Sequence, residues 1–334
     1  MNRRCLVYLL VTICLVFSQA GLLSAAMKPY RIYVVAWRGI TNGERGFMDY
    51  FTDRKIPVEF IIRDCESDKN RLPDFVREIK EIRPDLVYVF GTSGALGLFG
   101  PRDNHPADKY ITDIPGVFNI VSVPVESSLV ENLNSSNRNI TGTVHIAPME
   151  TQLNALKSVF RLTRLGVLYN PQEKNSVLAL KKLEKAGKEQ GFEIISSAFG
   201  LKEDKNPDKA SIPEAVVRLA AQNPQLVYFP SDSFLVSNAT EVVDILNRYR
   251  IPVFSATEDP ISKSGALMGL VCHYYNVGMY SAYKAEQILV HGKKPSEIPI
   301  DSLNRFSFLF NMTAAKKLDL YPPFNLLKFV EIVR

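Results

Sequence analysis

Pro84-Asp85-Leu86-Val87-Tyr88 recurs as Pro224-Gln225-Leu226-Val227-Tyr228, and Ile114-Pro115 leading into Val117-Phe118 recurs as Ile251-Pro252-Val253-Phe254. The two pairs of copies are separated by about the same length of chain, which points to an internal duplication. Outward from these words, the same alternation appears in both halves. Short runs rich in Val, Ile, Phe and Tyr predict strands over 31–37, 58–65, 86–92 and 117–123, and again over 165–169, 192–198, 226–230 and 253–256. Amphipathic stretches predict helices between them, over 44–51 and 73–82 and then over 176–189, 213–221 and 239–249. Phe75, Ile79 and Ile82 share one face of the second, and Val242, Ile245 and Leu246 one face of the last. Strand followed by helix, repeated, predicts an α/β fold of two Rossmann-like lobes, each a parallel sheet covered by helices.

Composition agrees with this and excludes other classes. With 334 residues, 46% of them hydrophobic, the chain is long enough for two domains, each burying its own core. The formal charge is only +5, and Arg3 and Arg4 supply two of it, so there is no electrostatic case for nucleic acid as a partner.

Residues 1–26 read as a secretory leader. Asn2-Arg3-Arg4 gives a positive start, 5–17 is almost unbroken apolar sequence, and Ser18-Gln19-Ala20 or Ser24-Ala25-Ala26 offers small residues for cleavage. A membrane anchor would need about 18 consecutive apolar residues, and this run is shorter. Cys14 follows Thr12-Ile13, which is no lipid-attachment site. The expectation is a soluble protein exported to the periplasm. Cys65 and Cys272 then remain, one pair far apart in sequence, and are expected as separate thiols.

In parallel sheets, ligands lie beyond the carboxyl ends of the strands, so two such lobes in tandem make a cleft with two facing jaws. On the first jaw stand Trp37 and Arg38 after the first strand, Thr92 and Ser93 after the third and Ser122 after the fourth. The second offers Asn170, Ser176 as a helix N-cap, Asp232 and Ser233, Glu258, and His273 with Tyr274. Hydroxyls and an aromatic thus face carboxylates, a pairing suited to a small zwitterion or polar organic molecule. Asp232 follows a strongly apolar strand and is expected to present its carboxylate to the cleft. No His-Glu-x-x-His, Cys-x-x-Cys, Gly-x-Ser-x-Gly or phosphate-binding Gly-Lys-Ser/Thr occurs, so neither catalysis nor a metal or other cofactor is expected.

Several longer motifs give a resemblance. They are Gly166-Val167-Leu168-Tyr169-Asn170-Pro171 with Asn175-Ser176-Val177, Pro230-Ser231-Asp232-Ser233, Gly265-Ala266-Leu267, Tyr274-Tyr275-Asn276-Val277-Gly278, and Asn311-Met312-Thr313-Ala314-Ala315-Lys316-Lys317-Leu318. In these the chain resembles the ABC-transporter substrate-binding proteins of the tryptophan- and tyrosine-uptake group. The resemblance implies a type I periplasmic binding architecture with a hinge of three crossovers. Its lobes would be 27–146 plus about 274–302, and 147–273 plus about 303–334. It further implies a monomer that grips an amino acid or related ligand between the lobes and docks on an ABC permease of the inner membrane. Carried over by position, the contacts would be Thr92, Ser93, Asn170, Ser176, Asp232 and Glu258. Two places depart from the family pattern, with Val123-Pro124 standing where Asp-Pro is common and Cys272-His273-Tyr274-Tyr275 standing where Phe-Asp-Tyr-Tyr is common. A sensory module feeding a membrane kinase or chemoreceptor is the alternative use of the same fold, and an enzyme on a flavodoxin-like scaffold is a more remote one.

Overall fold

The computed structural model describes residues 28–334, so the leader expected over 1–26 lies outside the described residues. The first sheet contains β1 (Tyr30–Ala36), β2 (Val58–Asp64), β3 (Leu86–Phe90), β4 (Gly116–Val121) and β5 (Ile140–Val144), in the order β2-β1-β3-β4-β5 and parallel throughout. The second contains β6 (Arg164–Tyr169), β7 (Glu193–Ala198), β8 (Leu226–Phe229), β9 (Val253–Ser255), β10 (Met268–Val271), β11 (Ser307–Asn311) and β12 (Val330–Val333). Its order is β12-β11-β10-β9-β8-β6-β7. The stretch β7-β6-β8-β9-β10 repeats the strand order of the first sheet. The recurring sequence words fall on equivalent strands, the first at β3 and β8 and the second at β4 and β9. The added β11 is antiparallel to β10, so the second sheet is not purely parallel as expected.

Helices fill the crossovers. In the first half these are α1 (Asn42–Asp53), α2 (Leu72–Ile82) and α3 (Gly91–Phe99). In the second they are α4 (Met149–Lys157), α5 (Lys174–Gln190), α6 (Ile212–Ala220), α7 (Ser233–Ser237), α8 (Ala239–Arg248) and α9 (Glu258–Ser264), followed by α10 (Tyr274–Leu289) and α11 (Met312–Leu318). The start of α1 is fixed locally, because Thr41 Oγ1 accepts from the Gly43 N–H while Glu44 Oε2 accepts from the Thr41 N–H. Each β-strand core is apolar, and β3, β4 and β8 are buried at every position, as strands covered on both faces must be.

The chain passes between the two sheets three times. It leaves the first after β5, returns after β10 so that α10 packs on α1, β4 and β5, and leaves again to form β11. The return is held by backbone-to-backbone contact between α1 and α10. A methyl group on Gly278 would lie 2.0 Å from the Gly43 carbonyl oxygen, and one on Gly46 would lie 2.1 Å from that of Tyr275. Cys65 and Cys272 are buried, separate thiols, and burial pushes both up to about 12. Among the described residues, no helix is long and apolar enough to cross a membrane.

The α1–α10 contact makes a prediction. Gly278→Ala forces the two helices apart and should destabilise the protein by about 1–3 kcal/mol or more, read as a lowered urea midpoint. An unchanged midpoint would mean that the helices separate at no cost.

Candidate functional site

The two sheets face one another along a seam, and the strand-end loops named above meet there. One narrow cavity of about 10 Å³ is lined from the first half by Arg38, Phe90, Gly91, Thr92, Ile120 and Tyr274. From the second half come Glu173, Asn175, Ser231, Asp232, Ser233 and Val236. Asn175 and Ser231 also line a larger chamber of about 340 Å³ alongside it, walled by apolar groups such as Val123, Pro124, Ile146 and Met149 and bounded by Ser122. On the other side lies a pocket of about 50 Å³ bounded by Trp37, Ser93, Asn170 and Glu173. A groove of about 740 Å³ lies along α6 and α8, and one of about 860 Å³ runs along α2 and α3 to Ser93, Ser127 and Lys174 at the edge of the seam. They are open surface, whereas the seam gathers buried polar atoms.

Those atoms distinguish the seam. Trp37 Nε1, Arg38 Nη2, Thr92 Oγ1, Ser122 Oγ and Asn175 Oδ1 are buried and have no hydrogen-bond partner among the described residues. Unmade hydrogen bonds in such positions cost about 1–3 kcal/mol each, so several in one place mark a site built for another molecule. Arg38 lies over the Phe90 ring, 5.1 Å from its centroid, and its Nη2 is 3.7 Å from Asp259 Oδ2. Thr92 sits in the first turn of α3, whose N-cap residue Phe90 provides no side-chain cap, so the free N–H groups of that turn add positive potential beside the guanidinium. Ile120, also on the seam, has φ of +56° at the bulge between β4 and β5. A β-branched residue in the left-handed region costs on the order of 1–3 kcal/mol and is held by its surroundings, a feature typical of binding sites.

The second half is organised around Asp232. Its Oδ2 accepts from the Asn170 N–H and from Ser176 Oγ, both at 2.6 Å, and its Oδ1 accepts from the Leu235 N–H at 2.9 Å as the N-cap of α7. The carboxylate lines the seam, but its oxygens are committed to the chain, which differs from the free strand-end carboxylate expected from sequence. Ser176 is fully buried in this network and is not an N-cap. That position belongs to Glu173, with α5 starting at Lys174. Glu173 was missed from sequence. It looks like part of an ordinary turn in Pro171-Gln172-Glu173-Lys174, and the only signal was an acid directly preceding a helix that opens at a strand end.

The sequence expectations therefore separate into groups. Arg38, Thr92, Asp232, Ser233 and Tyr274 meet on the seam, with Trp37, Ser93 and Asn170 in the adjoining pocket and Ser122 in the chamber, and Tyr274, expected on the second jaw, stands on the first because α10 packs there. Glu258 and His273 line none of these spaces and instead lock the second crossover. Glu258 Oε2 accepts from the Tyr274 N–H at 2.9 Å, and its Oε1 lies 3.0 Å from His273 Nδ1. His273 Nε2 lies 3.0 Å from Ser307 Oγ and 3.2 Å from Glu331 Oε2. The hydrogen bond to Glu258, assisted by Glu331, raises the imidazole to about 9 against the cost of its burial.

Three polar contacts cross the seam. Lys182 Nζ pairs with Glu126 Oε1 at 2.7 Å, Lys174 Nζ donates to the Ser127 carbonyl at 2.8 Å, and Asn206 Nδ2 donates to Asp68 Oδ1 at 3.2 Å.

Two α/β lobes joined by three crossovers, with their strand-end loops facing across a seam, define a type I periplasmic binding architecture. The chain belongs to the ABC transporter substrate binding protein family, whose model matches residues 36–333. It is 24% identical over 288 residues to a tyrosine-binding protein of Clostridioides difficile, covering 84% of this chain and 77% of that one. A conserved domain protein from Vibrio cholerae superposes with a TM-score of 0.81 at 21% identity, covering 92% of this chain and all of that one. A Streptococcus pneumonia ABC domain in complex with L-Trp superposes with a TM-score of 0.77 at 19% identity, covering 91% and 100%.

Two predictions follow from the second half and the crossover. Asp232→Asn keeps one carbonyl oxygen but sets an amide NH2 against one or two of the three donors, and should lower stability by about 1–3 kcal/mol in urea denaturation. A folded variant of unchanged stability would show that the network is dispensable. His273 is held charged in the folded protein, with its pKa raised from 6.5 to about 9, so its contribution is complete below pH 6.5 and is lost as pH rises toward 9. The fall in melting temperature over that interval should be shallower in His273→Asn than in the unsubstituted protein, and equal slopes would exclude the imidazolium as its cause.

Proposed function

We propose that the chain is exported to the periplasm, without catalytic activity, as the substrate-binding component of an ABC importer that captures an α-amino acid or a close relative between its lobes and presents it to a membrane permease. The observation that carries this reading is the set of buried, unpartnered polar atoms contributed by both sides of one seam. Arg38, Thr92 and the first turn of α3 suit a carboxylate, which a guanidinium and free N–H groups bind with charge-assisted hydrogen bonds. The adjoining chamber of about 340 Å³, largely apolar in its walls, is of a size for a side chain as large as an aromatic ring. Amino acids named for the similar proteins from Clostridioides difficile and Streptococcus pneumonia support the same class.

The moving bodies in this reading are 27–146 with about 274–302, and 147–273 with about 303–334. A ligand that touches both favours the closed arrangement by its differential affinity for it. The lysine contacts from α5 to Glu126 and Ser127 are then made only on closure, and they present a composite surface that a permease can distinguish from the open form. The leader over 1–26 directs export, and the mature chain begins near Gly21 or Met27.

Mass spectrometry of small molecules released by denaturing the purified protein tests the ligand class. An α-amino acid is expected, and titration calorimetry with L-tyrosine and L-tryptophan should show saturable binding by at least one. Release of a ligand lacking a carboxylate, with no heat from any standard amino acid, would overturn the reading.

A further inference from the structure

The Glu173 side chain is almost completely buried on the seam, and its two oxygens are unequally used. Oε1 accepts from the Ser233 N–H and Ser233 Oγ, each at 3.0 Å, and from Asn175 Nδ2 at 3.3 Å. Oε2 accepts only from the Ser233 N–H, at 2.8 Å, a donor it shares with Oε1. Asp232 next to Ser233 has three donors of its own, with the Leu235 N–H given wholly to Oδ1, so Oε2 of Glu173, whose one donor is shared, is the least satisfied carboxylate oxygen of this pair. The same cavity holds Thr92 Oγ1 and Asn175 Oδ1, both buried and without partners among the described residues. On the far side stands Arg38, the complementary charge for a ligand's negative end.

We infer that Glu173, rather than Asp232, receives the positive end of the ligand. The inference rests on the amino-acid reading above and adds to it the counter-charge for the ammonium and a proton balance. The other charged and titratable groups facing Glu173 leave the role to it. Arg38 and Tyr274 approach from the first half, Arg38 with Asp259 close by. Lys69 and Lys205 border the adjoining pocket, and Lys174 follows Glu173 on α5 while reaching to Ser127. None of these is an anion free to meet a cation in the cavity. Burial, and after it the charge of Asp232, raise the Glu173 carboxyl well above the usual range against the pull of its donors. An ammonium beside it reverses that shift, so the proton that the buried pair would hold leaves to solvent on binding, and binding strengthens as pH rises through the range in which the pair holds it.

Calorimetry at pH 7 in phosphate and in Tris, whose ionisation heats differ, reads the proton directly. L-tyrosine and L-tryptophan come first, then the other standard amino acids, each beside its analogue lacking the amino group, such as 3-(4-hydroxyphenyl)propionate or indole-3-propionate. The bound amino acid should release about one proton, and its analogue none. Glu173→Gln should weaken the amino acid about ten- to hundredfold, abolish the release and leave the analogue's affinity unchanged. If the variant does not fold, the contrast between amino acid and analogue on the unsubstituted protein decides alone. Binding of an amino acid with no dependence on buffer, or with equal affinity in Glu173→Gln, overturns this inference and leaves the amino-acid reading standing. Failure of every amino acid to bind overturns both.

Discussion

A carboxylate buried at a strand end must be matched by donors, and Asp232 meets this requirement with groups from three separate pieces of chain. The Asn170 N–H comes from the loop after β6, Ser176 from the first turn of α5, and the Leu235 N–H from α7. β6 and β8 are neighbours in the sheet, but the chain leaves them in different directions, the first toward β7 and the second toward β9. Parallel sheets open a crevice at such a point, and Asp232 bridges it. With the bridge in place, Glu173 and Ser233 are held against each other, and Asn175 reaches the Ser231 carbonyl. The second half of the site is thus a consequence of neutralising one buried charge.

The first half has the same crevice in its own sheet, between β1 and β3, and fills it differently. Arg38 leaves β1 and Thr92 leaves β3, with no internal bridge between them, so donors remain free there. The two sheets share one strand order. The residues at the equivalent openings differ, with cationic and hydroxyl groups on one side and a bridged carboxylate with an acidic neighbour on the other. A seam with opposite character on its two faces suits the proposed zwitterion, since either face alone would leave one end of such a ligand desolvated without compensation.

Much of this was legible in the sequence, because the parts that set the architecture are periodic. The repeated words lie on β3 and β8 and on β4 and β9, and the strand-end rule placed Arg38, Thr92, Ser233 and Tyr274 near the seam without any structural information. The failures have physical causes. Glu258 and His273 also follow strands, but those strands, β9 and β10, lie away from the opening between β6 and β8, and their loops join the crossover to β11 and β12. Asp232 stands on the seam as its position in the sequence predicts, but its oxygens are engaged, since sequence shows a carboxylate at a strand end and not the donors that converge on it from sixty residues away. β11 escaped because its antiparallel pairing with β10 is tertiary and breaks the strand-helix alternation.

The crossovers carry the remaining constraint. A lobe that moves must do so without disturbing its own core, so the joints have to be stiff in some directions and compliant in others. The glycine contact between α1 and α10 makes the helix after the second crossover part of the first lobe, down to backbone contact. One residue before that helix begins, His273 is tied to Glu258, Ser307 and Glu331 of the second. The change from one rigid body to the other is therefore confined to very few bonds around 272–274. Tyr274 is the first residue on the far side of that joint and also a wall of the seam, its N–H held by Glu258 while its ring packs near Phe90 and His145. Under the proposed opening, rotation at the joint would move this ring relative to the second lobe, so hinge and cavity would be coupled through one side chain.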